Sequence, residues 1–188
     1  MKFNEFYSLT IVHSRDIILV KGVDYMNITK QKSQKTFDKQ AADYDTNIQG
    51  EHARKLYKPI IENLKNKNIH SILDLGCGTG ALLKEIKELN IAEQLFGIDI
   101  SPNMLEIAKN KLGNDATLIL GDSERLPFED SSFDAIVCND SFHHYPQPDI
   151  VEKEVSRCLK QNGVFIIGDC WQPIGARQIM NYYMKHSN

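Results

Sequence analysis

The sequence predicts an α/β fold: a doubly wound, mostly parallel sheet with helices on both faces, and three observations carry that reading. Short apolar runs alternate with amphipathic helical stretches beyond residue 68, the pattern of right-handed βαβ crossovers. The run Ile72-Leu73-Asp74-Leu75 breaks into Gly76-Cys77-Gly78-Thr79-Gly80 and leads into Ala81 to Leu89, where Leu82, Leu83, Ile86 and Leu89 recur at helical spacing. A second strand, Leu95 to Asp99, ends in an acid about 20 residues beyond the last glycine, the offset at which a carboxylate can accept from both ribose hydroxyls. Glycines let a ligand approach the backbone, and a helix N-terminus offers free N–H groups. A glycine turn alone is equally a tight structural turn; the acid and the alternation give it a binding context.

Residues 1–27 form an N-terminal extension. Leu9 to Val12 and Ile17 to Val20 are strand-like, with no glycine turn between them. A packed extension, a partner-binding arm and upstream sequence before a start at Met26 all stay open, and no function is assigned. Residues 28–68 are read as N-terminal helices covering the site. Lys32 to Asp45 places Phe37, Ala41 and Tyr44 on one face. Gly50 to Asn66 turns Leu56, Ile60, Ile61 and Leu64 inward, and Pro59 is expected to kink or divide it.

Residues 69–188 hold the Rossmann-like domain. After the Asp99 strand, Ser101 caps a helix with Pro102 at its first position and Met104, Leu105, Ala108 and Leu112 as its stripe. Thr117 to Leu120 is a third strand and Phe133 to Cys138 a fourth. A helix from Pro148 to Leu159 and a turn at Gln161-Asn162-Gly163 precede a fifth strand, Val164 to Asp169; Ile174 to His186 reads as a last helix. In such a sheet ligands bind at the carboxyl ends of the strands, near the point where strand order reverses. The positions to inspect are therefore Gly76 to Gly80, Asp99-Ile100, Asp122-Ser123, Asn139 to His144 and Asp169.

Composition narrows the classes. At 188 residues the chain reads as one domain, with 41% hydrophobic and 25% charged residues, ordinary for a globular protein. A net charge of -3 and no run of like charges give no general attraction to nucleic acid or anionic membrane. No stretch approaches the ~18 apolar residues of a membrane span, and the N-terminus lacks the pattern of a signal peptide. Cys77, Cys138, Cys158 and Cys170 show neither a CxxC nor a metal spacing with histidine; they read as reduced thiols of a cytoplasmic protein, with no metal expected.

Taken together the motifs resemble the class I S-adenosylmethionine-dependent methyltransferases, in particular the small-molecule group that includes the ubiquinone and menaquinone biosynthesis methyltransferases. Asp74 to Gly80, Gly97 to Ser101 with Met104-Leu105, Gly121 to Phe128, Ser132 to Val137, Phe142-His143-His144 and Leu159 to Val164 occur in the family's order. The resemblance implies S-adenosylmethionine as cofactor. Asp74 and the backbone of Gly76, Cys77, Gly78 and Gly80 would face its methionyl part, and Asp99 its ribose. Ile100 and Met104 would pack on adenine, Asp122 would accept from the adenine amino group beside the Ser123 backbone, and Asn139 would meet the amino-acid end. Tyr44 matches an aromatic that closes over the site in relatives. Methyl transfer from a sulfonium to a small-molecule acceptor needs mainly alignment and exclusion of water. His143 or His144 is the candidate general base.

The complete fold in this resemblance has seven strands, the last two an antiparallel hairpin beside strand five. The chain ends at Asn188 soon after the fifth strand, so the last two are expected to be absent. An open apolar edge invites pairing. A poorly active truncated protein, a homodimer completing its sheet through that edge, or a strand supplied by the N-terminal extension would each answer it. Two other classes stay in view: a non-catalytic cofactor-binding or assembly module, and a nicotinamide-dependent oxidoreductase. Against the latter, Ala81-Leu82-Leu83 follow the glycines where GxGxxG needs its third.

Overall fold

The computed structural model describes residues 6–12, 25–48 and 50–171. Its elements in chain order are β1 (Phe6–Val12), α1 (Tyr25–Gln40), α2 (Glu51–Leu64), β2 (Ile69–Leu75), α3 (Ala81–Glu88), β3 (Ala92–Asp99), α4 (Pro102–Leu112), β4 (Ala116–Leu120), β5 (Phe133–Asn139), α5 (Pro148–Cys158) and β6 (Leu159–Trp171), with a single 3-10 turn at Phe142–His144. The strand expected at Ile17 to Val20 and the helix expected at Ile174 to His186 lie outside the described residues.

The strands stand in the order β1-β6-β5-β2-β3-β4. β2 to β6 are mutually parallel, as the doubly wound reading requires. The chain steps outward from β2 through β3 to β4, then returns to the other side of β2 for β5 and β6. The switch point therefore lies between β2 and β5, where a ligand cleft is expected.

Buried parallel strands split their residues between two cores by simple alternation. Ile72, Ala135, Val137, Val164 and Ile166 point to one face, under α2, α3 and Leu112 of α4. Leu73, Leu75, Ile136, Cys138 and Phe165 point to the other, under Val151, Val155 and Cys158 of α5. Phe96, Phe128 and Phe133 meet edge to face there, with centroids 4.9–5.9 Å apart.

The local signals hold at α4. The Ser101 hydroxyl accepts from Met104 N at 3.1 Å, and Pro102 takes the first helical position. Pro59 does not divide α2, which runs through it as one helix, a correction to the split expected there. An interior proline costs roughly 3 kcal/mol. Leu56, Ile60, Ile61 and Leu64 are all buried, at about 1.5–3 kcal/mol each, so packing outweighs the break. The helix expected over Lys32 to Asp45 instead begins at Tyr25 and ends at Gln40. The turn that follows is held by side chains: Arg54 donates to Tyr44 O and Asn47 O, and Gly50 N donates to Asn47 Oδ1. The expected turn at Gln161 to Gly163 is absorbed into β6, where Phe133 pairs with Leu159 but Ala135 already pairs with Val164. Asn162 takes up the excess with φ +67°.

At the sheet edge the structure selects one of the three answers the sequence left open, a strand supplied by the N-terminal extension. β1 pairs antiparallel with β6 from Phe6 opposite Trp171 to Val12 opposite Phe165. The N-terminal extension thus joins the main sheet and covers, within one chain, the outer edge of the fifth parallel strand. Deleting residues 1–12 should reopen that edge and raise self-association over the full chain, read by sedimentation velocity. Identical behaviour of the two would show that the pairing does not protect the edge.

Candidate functional site

The carboxyl ends of β2, β3, β4 and β5 open into one cleft of about 920 Å³ including its mouth. The β2 end enters it through a turn only glycine can make. Gly76 has φ +73°, and a Cβ there would lie 2.1 Å from Ser141 Oγ and 3.0 Å from the Tyr145 hydroxyl. Gly80, also expected to face the ligand, does not line the cleft: it heads α3 at φ +72°, where a Cβ would strike Leu112 and Ala108. Its role is the close packing of α3 on α4.

Two acceptors line this cleft with nothing to accept. Asp74 is fully buried in β2, and its Oδ1 has no hydrogen-bond partner among the described residues. Burial pushes its carboxyl up to about 8, and the nearby Asp99 carboxylate adds to the rise. Asn139 Oδ1, at the end of β5, is likewise buried and unpartnered, while its Nδ2 donates to Ala53 O at 3.2 Å. A pair of orphaned acceptors on neighbouring strands suits a donor-rich or cationic ligand group.

Asp99 is differently placed. Its Oδ2 accepts from Gly78 N and its Oδ1 from Ser101 N, both at 2.8 Å. Burial raises its pKa against the pull of these N–H groups. Each oxygen keeps a lone pair for a ligand hydroxyl. Ile100 and the buried Met104 give this part of the cleft an apolar wall. Beyond β4, Asp122 and Ser123 line the next part, Asp122 Oδ1 accepting from Glu124 N.

The two candidate bases separate. His144 lines the cleft and meets Phe37 edge to face at 5.2 Å. Burial and the neighbouring His143 lower it to about 4, so it is neutral at pH 7. His143 stays off the cleft lining, with Nδ1 2.6 Å from Asp169 Oδ1. Burial works downward on it, but Asp169 and Asp140 outweigh this and raise its pKa. Asp140, His143 and Asp169 bring ligand-type atoms within 4.8 Å of one another.

Tyr44 lines the cleft with its ring 6.4 Å from Phe37, and burial, with Asp140 and Asp99, raises its hydroxyl to about 12. Motif reading missed Lys30, Tyr57 and Tyr145, which also line it, and gave no site role to Phe37 or to Ser141 within the Asn139 to His144 stretch. Ser141 and Tyr145 flank the Phe142-His143-His144 motif and could have been found there. Lys30 and Tyr57 carried no signal, because only the fold of α1 and α2 over the strand ends brings them in.

Asp74 sets a stability prediction. It is ionised in the unfolded chain above about pH 4 but stays protonated in the folded protein until about pH 8. Its burial therefore lowers stability progressively as pH rises across that window. Asp74→Asn should stabilise the ligand-free protein at pH 7 by on the order of a few kcal/mol, and flatten the fall between pH 5 and 8 in urea titrations.

Comparison with known proteins agrees with this geometry. Residues 73–167 match the model of a family described as a methyltransferase domain. The demethylmenaquinone methyltransferase of Thermotoga maritima is 32% identical over 163 residues, covering 84% of this chain and 71% of that protein. The sterol 4-C-methyltransferase strm-1 of Caenorhabditis elegans is 35% identical over 125 residues, but the match spans 63% of this chain and only 36% of that one. Among solved structures, the YcgJ protein from Bacillus subtilis superposes with a TM-score of 0.62 at 26% identity, covering 71% of this chain and 57% of its own. Among the described residues no helix is long and apolar enough to cross a membrane.

Proposed function

The chain belongs to the class I S-adenosylmethionine-dependent methyltransferases, enzymes that move a methyl group from that cofactor to an acceptor, and on that premise we propose that its own cleft binds S-adenosylmethionine and carries out this transfer to a small molecule. The observation that supports this most directly is the pair of orphaned acceptors. Asp74 Oδ1 and Asn139 Oδ1 are buried polar atoms that the free protein leaves without donors, and the cofactor's amino-acid end carries an ammonium. Asp99 would hold the ribose hydroxyls with its remaining lone pairs, Ile100 and Met104 would pack on adenine, and Asp122 would accept from the adenine amino group. The Gly76 to Gly78 backbone would run along the methionyl part.

When bound, the cofactor supplies an activated methyl on a sulfonium whose leaving group is a neutral thioether. The protein's part is then to align donor and acceptor and to keep water out. Phe37, Tyr44 and Tyr57, on and beside the helices over the cleft mouth, would close it around an acceptor. A hydroxyl or carbon acid loses a proton as it is methylated, and His144, neutral and on the lining, is the group to receive it. His143, hydrogen-bonded to Asp169 and set against His144 with ring centroids 3.9 Å apart and planes tilted by 45°, would act by orienting it.

Titration calorimetry with S-adenosylmethionine, S-adenosylhomocysteine and NADH tests the binding half. The first two should bind, NADH should not, and Asp99→Ala should weaken both by at least tenfold. Cofactor affinity should rise with pH towards 8, with a proton released from Asp74 at pH 7, because an ammonium favours the ionised carboxyl. No binding by folded protein would favour the non-catalytic module.

His144→Ala should lower kcat by about 10²–10⁴ on an acceptor that gives up a proton, with cofactor affinity unchanged. In the unmodified enzyme kcat/KM should fall as pH drops through about 4, where His144 becomes charged. Full turnover by the variant would remove His144 from the chemistry.

A further inference from the structure

The adenine end of the cleft contains a charged group that no motif accounts for. Lys30, on α1, places its Nζ 2.6 Å from Asp122 Oδ2 and 2.5 Å from Glu124 Oε2, reaching across 92 and 94 residues of sequence. All three residues line the cleft. The lysine side chain is 18% exposed and that of Glu124 only 7%, so the pair is largely shielded from solvent. Shielded ion pairs are screened less by salt than surface ones and hold a definite geometry.

Each partner of Lys30 is fixed from a second side. Glu124 also accepts from Gln147 N at 3.2 Å and from Gln147 Nε2 at 2.9 Å, just ahead of α5. Asp122 Oδ1 is taken by Glu124 N at 2.9 Å. The Asp122 carboxylate is thus held through both oxygens, with spare lone pairs still facing the cleft. Without the ammonium, Asp122 and Glu124 would leave two uncompensated negative charges at this end. The same helix and the turn after it are fastened again at the other two loops of the cleft. Asp38 accepts from Ser101 Oγ at 2.6 Å; Asp45 accepts from Thr79 Oγ1 at 2.5 Å and from Lys111 Nζ at 2.7 Å. Of these clasps, the one made by Lys30 falls on the carboxylate assigned to the adenine amino group.

We propose that Lys30 is a positioning residue of the cofactor site, orienting Asp122 for the adenine amino group and fastening α1 over the bound nucleoside. The proposal rests on the cofactor reading above. Cofactor release then requires this ion pair to open, which couples α1 to the residence time of the nucleoside.

The test is S-adenosylhomocysteine binding to the full chain, its Lys30→Met and its Lys30→Arg variants. Lys30→Met should weaken binding about tenfold, about 1.4 kcal/mol, chiefly through faster release in stopped-flow traces. Lys30→Arg, which keeps the charge, should recover most of the loss. In turnover, KM for S-adenosylmethionine should rise while kcat holds. A purely structural lysine would lower the melting temperature equally with and without ligand; a positioning lysine shrinks the ligand-induced rise. Binding by Lys30→Met within about twofold of the unmodified protein, or an equal melting-temperature loss in both states, overturns the proposal. Failure of the unmodified protein to bind would instead overturn the cofactor reading, and this proposal with it.

Discussion

The hydrogen bond from Gly78 N to Asp99 holds the cleft together. It joins the loop after β2 to the end of β3, and the same carboxylate takes Ser101 N at the start of α4. One side chain therefore sets the spacing of two neighbouring strand ends and a helix. A carboxylate accepting two backbone N–H groups is well enough satisfied to persist in a largely buried place, and a charge without them would not be. The positive φ of Gly76, Gly78 and Gly80 follows from the same need: the loop must turn sharply to give the Gly76 and Cys77 N–H groups to Ile98 O and the Gly78 N–H to Asp99 while α3 packs on α4.

Asp74 shows the opposite balance. It is buried as deeply as the aliphatic residues beside it in β2, yet one oxygen has no partner among the described residues. Nothing in the packing requires an acid there, since Leu73 and Leu75 on the same strand fill their positions with apolar groups. A position that opposes folding stability and faces a cleft is best explained by a ligand that compensates it. The same reasoning separates the two histidines. His143 is provided with a carboxylate and titrates upward, whereas His144 is held neutral against an aromatic wall.

At the other end of the sheet, β1 resolves an edge problem that the strand pattern posed. β6 is apolar through Val164, Phe165 and Ile166, and its outer side would present unpaired N–H and C=O groups. An antiparallel strand from the start of the chain meets that need with backbone pairing over seven residues. The two strands paired at this edge, β1 and β6, thus come from opposite ends of the described sequence.

Local signals made most of the domain legible. Alternation marked all five parallel strands, the Ser101-Pro102 pair marked the start of α4, and glycines followed by an acid marked the binding loops, because each depends on neighbours a few residues away. Asp99, Asp122 and Asn139 were singled out for the same reason, each standing where a strand ends, whereas Asp74 was singled out only through the family resemblance. Tertiary structure decided what depends on distant partners. Buried aliphatic residues carried α2 through Pro59, and β5 drew the expected turn at Asn162 into β6. Leu112 and Ala108 hold Gly80 tight against α4, off the cleft lining. Lys30 entered the cleft only when α1 crossed the strand ends, since an ion pair spanning 92 residues leaves no trace in local pattern. By itself the sequence determined the strand–helix order and which residues stand at the strand ends, because alternation and turn chemistry act locally; the fold decided what faces them, because that depends on packing between distant segments.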